Sequence, residues 1–349
     1  MKKLLLFFIL VSLFIPVMPA FSDTSLVQKS KDEKAADKKD KEKKKDKDEP
    51  SSTAKTHVMW EKPADITARD LYYGPGGKEG APELATTFKF IQRRTTGTSE
   101  KMDVEDNLGR KWVVKFGPEV RAEVAASRII WAIGYHADQD YFVKRAHIEG
   151  RGGFDIGDVR FERDDDGFKS EGRWAWDANP FLGKREFEGL KVVTALIKNW
   201  DLKDLNNKIV RPSKKTGDPN KMIYYVSDVG ASLGNTGSGF NDIGLFKDFP
   251  ADRAINYENA KGHPVAFAAE PFITGTQNGE VMLYSKRKRC QEIFKGVKVE
   301  SARWVGNLLA QLTDEQWRDA FRSANFTEQE IALYVKTFKE RVRQLQELR

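Results

Sequence analysis

The sequence predicts an α+β chain of two lobes, a small β-rich one carrying a single helix and a larger, mainly helical one. Three observations predict it. Strand-like segments cluster between residues 88 and 116, one helical segment follows at 119–133, and beyond about residue 302 the apolar residues recur at helical spacing. The small lobe is expected over residues 56–142 and the large one over 143–349, with Val143–Ile148 as the hinge.

The elements follow in order. Phe88–Thr95 has strand composition, Thr96-Gly97-Thr98-Ser99 is a turn of small residues, a second strand is expected near Lys101–Val104, and Asn107-Leu108-Gly109 reads as the next turn. Arg110–Phe116 is a third strand, after which Gly117-Pro118 opens the helix, since proline suits a first turn. That helix is closed by Gly134. Glu123 is flanked at helical spacing by Val120, Ala126, Ser127 and Ile130, so it faces inward, where a carboxylate needs a cation. Lys115 is the nearest candidate, with Arg121 and Arg128 as the alternatives.

Further on, Val159–Arg163 and Phe168–Trp174 read as strands around the tip Asp164-Asp165-Asp166-Gly167, which is expected to be a hairpin. Leu190, Val193, Leu196, Ile197 and Trp200 form an apolar stripe that ends at Asp201. Two strands, near Lys208–Arg211 and Met222–Ser227, flank the turn-rich stretch Lys214–Asn220 and return the chain to Asp228. At the C-terminal end a helix is expected over Ala302–Leu312. Two more are capped by Thr313 with Gln316 and by Thr327 with Glu330.

The most informative stretch is Asp201-Leu-Lys203-Asp-Leu-Asn206, followed by Ser227-Asp228-Val229-Gly230. It holds a carboxylate able to accept a hydroxyl proton, a cation two residues on, a neutral oxygen ligand five residues on, and a second carboxylate returning on a hairpin. Carboxylate and amide oxygens together with phosphates would suit Mg²⁺. The pattern resembles the catalytic loop and metal-binding motif of the protein-kinase-like fold, HRDLKPEN followed by DFG. Trp200 stands before the Asp and Val229 in place of the Phe, departures that point to atypical branches such as lipid kinases, HipA-type kinases and secretory-pathway kinases.

What the resemblance implies is an Mg²⁺- or Mn²⁺-dependent phosphotransferase using ATP or another nucleotide. Asp201 would act as proton acceptor, Lys203 as the cation on the moving phosphoryl group, and Asn206 and Asp228 as metal ligands. Lys115 would lie on the nucleotide phosphates with Glu123 holding it, and Gly97, Thr98 and Ser99 would cover the phosphates through backbone N–H groups. The G-x-G-x-x-G pattern itself is absent. The alternatives are a catalytically inactive kinase-fold binding protein of the cell envelope and a protein nucleotidyltransferase. The acceptor is open among lipid, sugar and protein.

Composition sets the context. Met1-Lys-Lys, the apolar run Leu4–Val17 and Ala20-Phe-Ser22 have the three regions of a secretory signal peptide, with cleavage expected after Ser22 or alternatively after Ala20. The run is short for a membrane span and no later segment resembles one, so an exported, periplasmic or secreted protein is expected, or else one tethered by an uncleaved signal, in a compartment where ATP is scarce. Residues 23–55 are nearly all Lys, Asp, Glu, Ser and Ala and cannot bury enough surface to order themselves. That tail carries 11 Lys against 9 acids and the leader adds Lys2 and Lys3, so only about +3 of the formal +7 belongs to the folded part. So small an excess argues against a nucleic-acid partner. The single Cys290 excludes an internal disulfide and thiolate zinc sites, and the four histidines have no metal-ligand spacing. The basic run Lys286-Arg-Lys-Arg289 either contacts an anionic substrate or surface or is a solvated patch.

Overall fold

Alternation along the third strand of the β-rich segment decides where the site will be. In Lys111–Lys115 the side chains of Trp112 and Val114 are fully buried in one core, together with Phe88, Met102, Val104 and Phe161. A strand has period two, so Val113 and Lys115 are sent to the opposite face. The computed structural model describes residues 54–94, 99–150, 152–164, 167–234 and 263–349.

Thirteen strands and seven helices are described. They are β1 (Thr56–Val58), β2 (Phe88–Arg94), β3 (Lys101–Glu105), β4 (Lys111–Lys115), α1 (Val120–Ala132), β5 (Asp140–Val143), β6 (Ala146–Glu149), β7 (Phe154–Ile156), β8 (Val159–Asp164) and β9 (Phe168–Gly172). There follow α2 (Arg185–Leu196), β10 (Asn207–Pro212), β11 (Lys221–Val226), α3 (Pro264–Ala269), β12 (Ile273–Gln277), β13 (Glu280–Leu283), α4 (Lys288–Ile293), α5 (Val299–Leu309), α6 (Asp314–Arg322) and α7 (Glu328–Gln346). A seven-stranded sheet has the order β5-β8-β4-β3-β2-β6-β7, and a four-stranded sheet the order β1-β11-β10-β9. Among the described residues after β11 the chain is mainly helical, as expected for the α+β class.

Helix α1 is buried along most of its length, and its apolar side joins a second, larger core with α2, α5, α6 and α7. The C-terminal helices start where their caps dictate. Thr313 and Thr327 each accept from the backbone of the residue three ahead, and Gln316 and Glu330 reach back to them, so both capping boxes are present. Helix α5 begins three residues earlier than expected, at Val299, and ends at Leu309 because the chain must already turn at Ala310–Leu312 to present Thr313 as the next cap.

Three expectations are corrected. The first sheet does not end at residue 142: β6 pairs with β2 and β8 lies between β4 and β5, so Val143–Ile148 lies within the sheet rather than forming a hinge. The strands at 159–164 and 168–172 exist but do not pair as a hairpin, since β8 joins the first sheet and β9 pairs with β10 in the second. Strand β1 belongs to the second sheet, parallel to β11, and Met59, Ile66 and Leu71 enter the larger core, so the segment from β1 to Leu71 packs with the larger part, while Tyr73 and Ala81 pack against the smaller core. All three errors concern which strands meet, and pairing between distant strands leaves no local sequence signal. Among the described residues no helix is long and apolar enough to cross a membrane.

Candidate active site

Lys115 ends β4 on the face turned away from the apolar core, and three carboxylates meet it there. Its Nζ lies 3.0 Å from Glu123 Oε2, 2.9 Å from Glu119 Oε2 and 2.6 Å from Asp228 Oδ1. Both Lys115 and Glu123 are 1% exposed. Burial alone would strip the ammonium of its proton, but Glu123, Asp228 and Glu119 outweigh it and hold the proton more firmly than usual. Burial also works against ionisation of Asp228, yet the Lys115 ammonium keeps that carboxyl well below its usual range.

Glu123 is held from behind as well. The guanidinium of Arg160, on β8, contacts Glu123 Oε1 and is 2.5 Å from Glu162 and 3.8 Å from Asp140. Lys208 of β10 reaches from the second sheet to Asp138 and to Glu162, the latter at 3.6 Å. Although burial opposes it, the charges of Arg160 and Lys208 hold Glu162 down to about 2, whereas burial pushes Asp140 up to about 8. Burial raises the Glu123 and Asp138 carboxyls as well. The alternative partners of Glu123 are engaged elsewhere: Arg121 with Glu330 at 2.7 Å, and Arg128 with the Asp140 carbonyl.

The second group of residues is organised by the loop after α2. Asn199 Oδ1 accepts from the Asp201 backbone N–H at 3.0 Å, and Asn206 Nδ2 donates to the Asp201 carbonyl at 2.8 Å and to its carboxylate at 3.3 Å. Lys203 Nζ is 2.9 Å from the Asp201 carboxylate. Asn206 spends its amide nitrogen on Asp201, which leaves the amide oxygen as its side-chain acceptor. The loop and the Asp228 segment are tied together by backbone bonds, Ser227 N–H to the Asn206 carbonyl at 2.9 Å and Trp200 N–H to the Ala231 carbonyl at 3.1 Å. Asp228 itself has φ 51, a left-handed conformation that Asp tolerates better than most residues.

The structure thus brings Lys115, Glu123 and Asp228 into contact, and Asp201, Lys203 and Asn206 into contact, and it joins the two groups through the backbone. Of the phosphate-covering residues, Gly97 and Thr98 lie outside the described residues. Ser99 precedes β3, whose Lys101 is the cross-strand neighbour of Lys115, and the Glu100 carbonyl accepts from Phe116 N–H at 3.1 Å. Ser99 and Glu100 therefore sit at the same end of the sheet as Lys115. Glu119 and Arg160 were not found from the sequence. Glu119 had a usable signal in its position four residues after Lys115, while Arg160 had none, because its approach depends on β8 pairing with β4.

Gly230 fixes how closely the Asp228 turn approaches α1. A Cβ there would lie 2.6 Å from Glu119 Cβ and 3.2 Å from the Glu119 carbonyl oxygen, neither of which is a mobile side-chain end. Gly230→Ala is expected to cost about 1–3 kcal/mol through overpacking. It should also pull Asp228 away from Lys115. A urea midpoint equal to that of the unsubstituted protein would show that the turn has room to spare.

A sheet ordered so that β4 carries an inward lysine, a helix that gives it a carboxylate, a loop running from Asp201 to Asn206, and a hairpin ending in Asp228-Val-Gly make the fold protein-kinase-like, with the atypical Trp200 and Val229 noted from the sequence. No protein-family model matches the chain, and no curated protein matches it. Among solved structures the chain is similar to the proinflammatory kinase CtkA of Helicobacter pylori, with 10% identity and a TM-score of 0.39, over 75% of this chain and 94% of that one. It is also similar to the Rio2 kinase–ADP/Mg²⁺–phosphoaspartate complex from Chaetomium thermophilum, with 15% identity and a TM-score of 0.29, over 75% of this chain and 73% of that one.

Proposed function

We propose that the chain is an exported kinase-like phosphotransferase that moves a phosphoryl group from a nucleotide to an acceptor hydroxyl. The observation that carries this reading is the contact of Lys115 Nζ with both Glu123 and Asp228, residues far apart in sequence, beside a loop whose Asp201 is braced by Lys203 and Asn206. A buried lysine held by several carboxylates costs desolvation that a purely structural role would not require. Export rests on the leader-like composition of residues 1–22.

The donor set fits a hard divalent cation: Asp228 and the Asn206 amide oxygen are oxygen ligands, and the Asp228 side chain is 40% exposed, open to a ligand. Among the described residues no group of three or more His, Cys, Asp or Glu is placed to hold a metal, so such a cation would share its shell with nucleotide phosphates. Bound there, it would supply charge neutralisation between those phosphates. Lys115 orients and neutralises the phosphate oxygens from the sheet side while Glu123, clamped by Arg160, keeps it aimed. Asp201 accepts the acceptor's proton, and Lys203 offsets the charge on the group in transit.

The test is transfer of label from a γ-labelled nucleotide, with Mg²⁺, to a panel of lipids, sugars and proteins. The full chain should label one acceptor class, and Asp228→Ala should abolish labelling while leaving the circular dichroism spectrum unchanged. Labelling that survives Asp228→Ala would remove this site from the reaction.

A further inference from the structure

Behind the Asp201 loop is a cavity of about 320 Å³ whose walls include Lys198, Trp200, Glu270, Lys286 and Arg287. The guanidinium of Arg287 lies over the Trp200 ring, 5.1 Å from its centre, and among the described residues it has no hydrogen-bond partner. Lys198, whose side chain is 8% exposed, donates to Glu270 Oε2 at 2.9 Å and to the Pro271 carbonyl at 2.8 Å. The other oxygen of Glu270 is taken by Lys286. A fourth cation, Arg341, is 3% exposed and is spent on the carbonyls of Leu196, Phe267 and Glu270.

Four cations are thus grouped around one carboxylate, and both oxygens of that carboxylate are occupied. The shortage of negative charge is visible in Lys198. Its burial, opposed by Glu270 and reinforced by Arg341 and Lys286, pushes the ammonium down to about 8. Arg287 supplies what a tetrahedral or planar oxyanion needs, a flat fork of N–H donors held against an aromatic face. The basic run is itself anchored: Arg289 donates to the Leu202 carbonyl at 2.9 Å and lies 3.2 Å from Asp204. This ties the run that carries the fork to the loop that carries Asp201.

We propose that this cavity binds an oxyanion, a phosphate or carboxylate group, through Arg287 and Lys198, and that the anion is part of the acceptor. The anion site stands on its own geometry. Only its role in seating the acceptor rests on the phosphotransferase reading.

Binding of inorganic phosphate to the full chain, measured calorimetrically without nucleotide, tests the site separately from the reaction. Phosphate should bind, and Arg287→Ala, at an exposed position that leaves the fold intact, should weaken it about tenfold or more. Arg287→Lys should recover part of the loss, since it restores the charge without the fork. Lys336→Ala, an exposed lysine on α7, should leave binding unchanged. In a second arm, vesicles of phosphatidylcholine containing phosphatidic acid are sedimented with the protein. Capture that depends on Arg287 and is competed by phosphate assigns a lipid headgroup, and phosphate binding without capture assigns a soluble anion. Absence of binding in both arms, or equal losses in Arg287→Ala and Lys336→Ala, overturns the proposal.

Discussion

Replacing Lys115 by Met is expected to destabilise the protein by about 3–5 kcal/mol, the range for removing one partner of a buried ion pair and leaving the other uncompensated. Methionine keeps the length and the apolar stem, so the loss isolates the charge. Glu123 would retain Arg160, but Glu119 and Asp228 would lose the cation they share with it. Urea unfolding of the full chain should show a lower midpoint at unchanged slope. The double variant Lys115→Met/Glu119→Gln should regain part of the loss, because it removes one of the stranded carboxylates and the two positions are coupled. A single-variant cost below about 1 kcal/mol would mean that the carboxylates are satisfied without Lys115, and that the cluster is not organised around it.

The second large effect concerns chemistry rather than stability. Asp201→Asn should lower kcat by roughly 10²–10⁴-fold, the usual contribution of a positioned general base. Asparagine keeps the side-chain shape and can still accept from Asn206 Nδ2, so the loop should hold its form. The KM for nucleotide should change little, since Asp201 contacts Lys203 and Asn206 and none of the groups around Lys115. Steady-state rates against nucleotide concentration separate the two parameters. An unchanged kcat would take Asp201 out of the proton transfer.

Much of this site is legible in the sequence because its geometry is local. Glu123 faces inward by helical spacing, Lys115 precedes it on a strand, and the apolar stripe of α2 delivers Asp201 at a loop. A hairpin of predictable strands brings Asp228 back beside Asn206. The hidden parts depend on contacts between distant elements. Arg160 reaches Glu123 only because β8 inserts between β4 and β5, and Lys208 reaches Glu162 only because β10 of the second sheet comes close to β8 of the first. The same limit explains the misplaced hinge and the false hairpin: strand composition identifies β6, β8 and β9 as strands but does not choose their partners. The basic run could not be resolved from sequence either, since only folding sets Arg287 on Trp200 and leaves Lys288 exposed.

The central claim is that Lys115, Glu123 and Asp228 form a nucleotide site, and unfolding of the full chain with Mg²⁺ across a nucleotide panel tests it most directly. One nucleotide, at 100 times its dissociation constant, should stabilise the unsubstituted chain and Asp201→Asn alike by about 2.7 kcal/mol, and Asp228→Ala should show no stabilisation. Absence of stabilisation by every nucleotide in the unsubstituted chain, or an equal shift in Asp228→Ala, would contradict it.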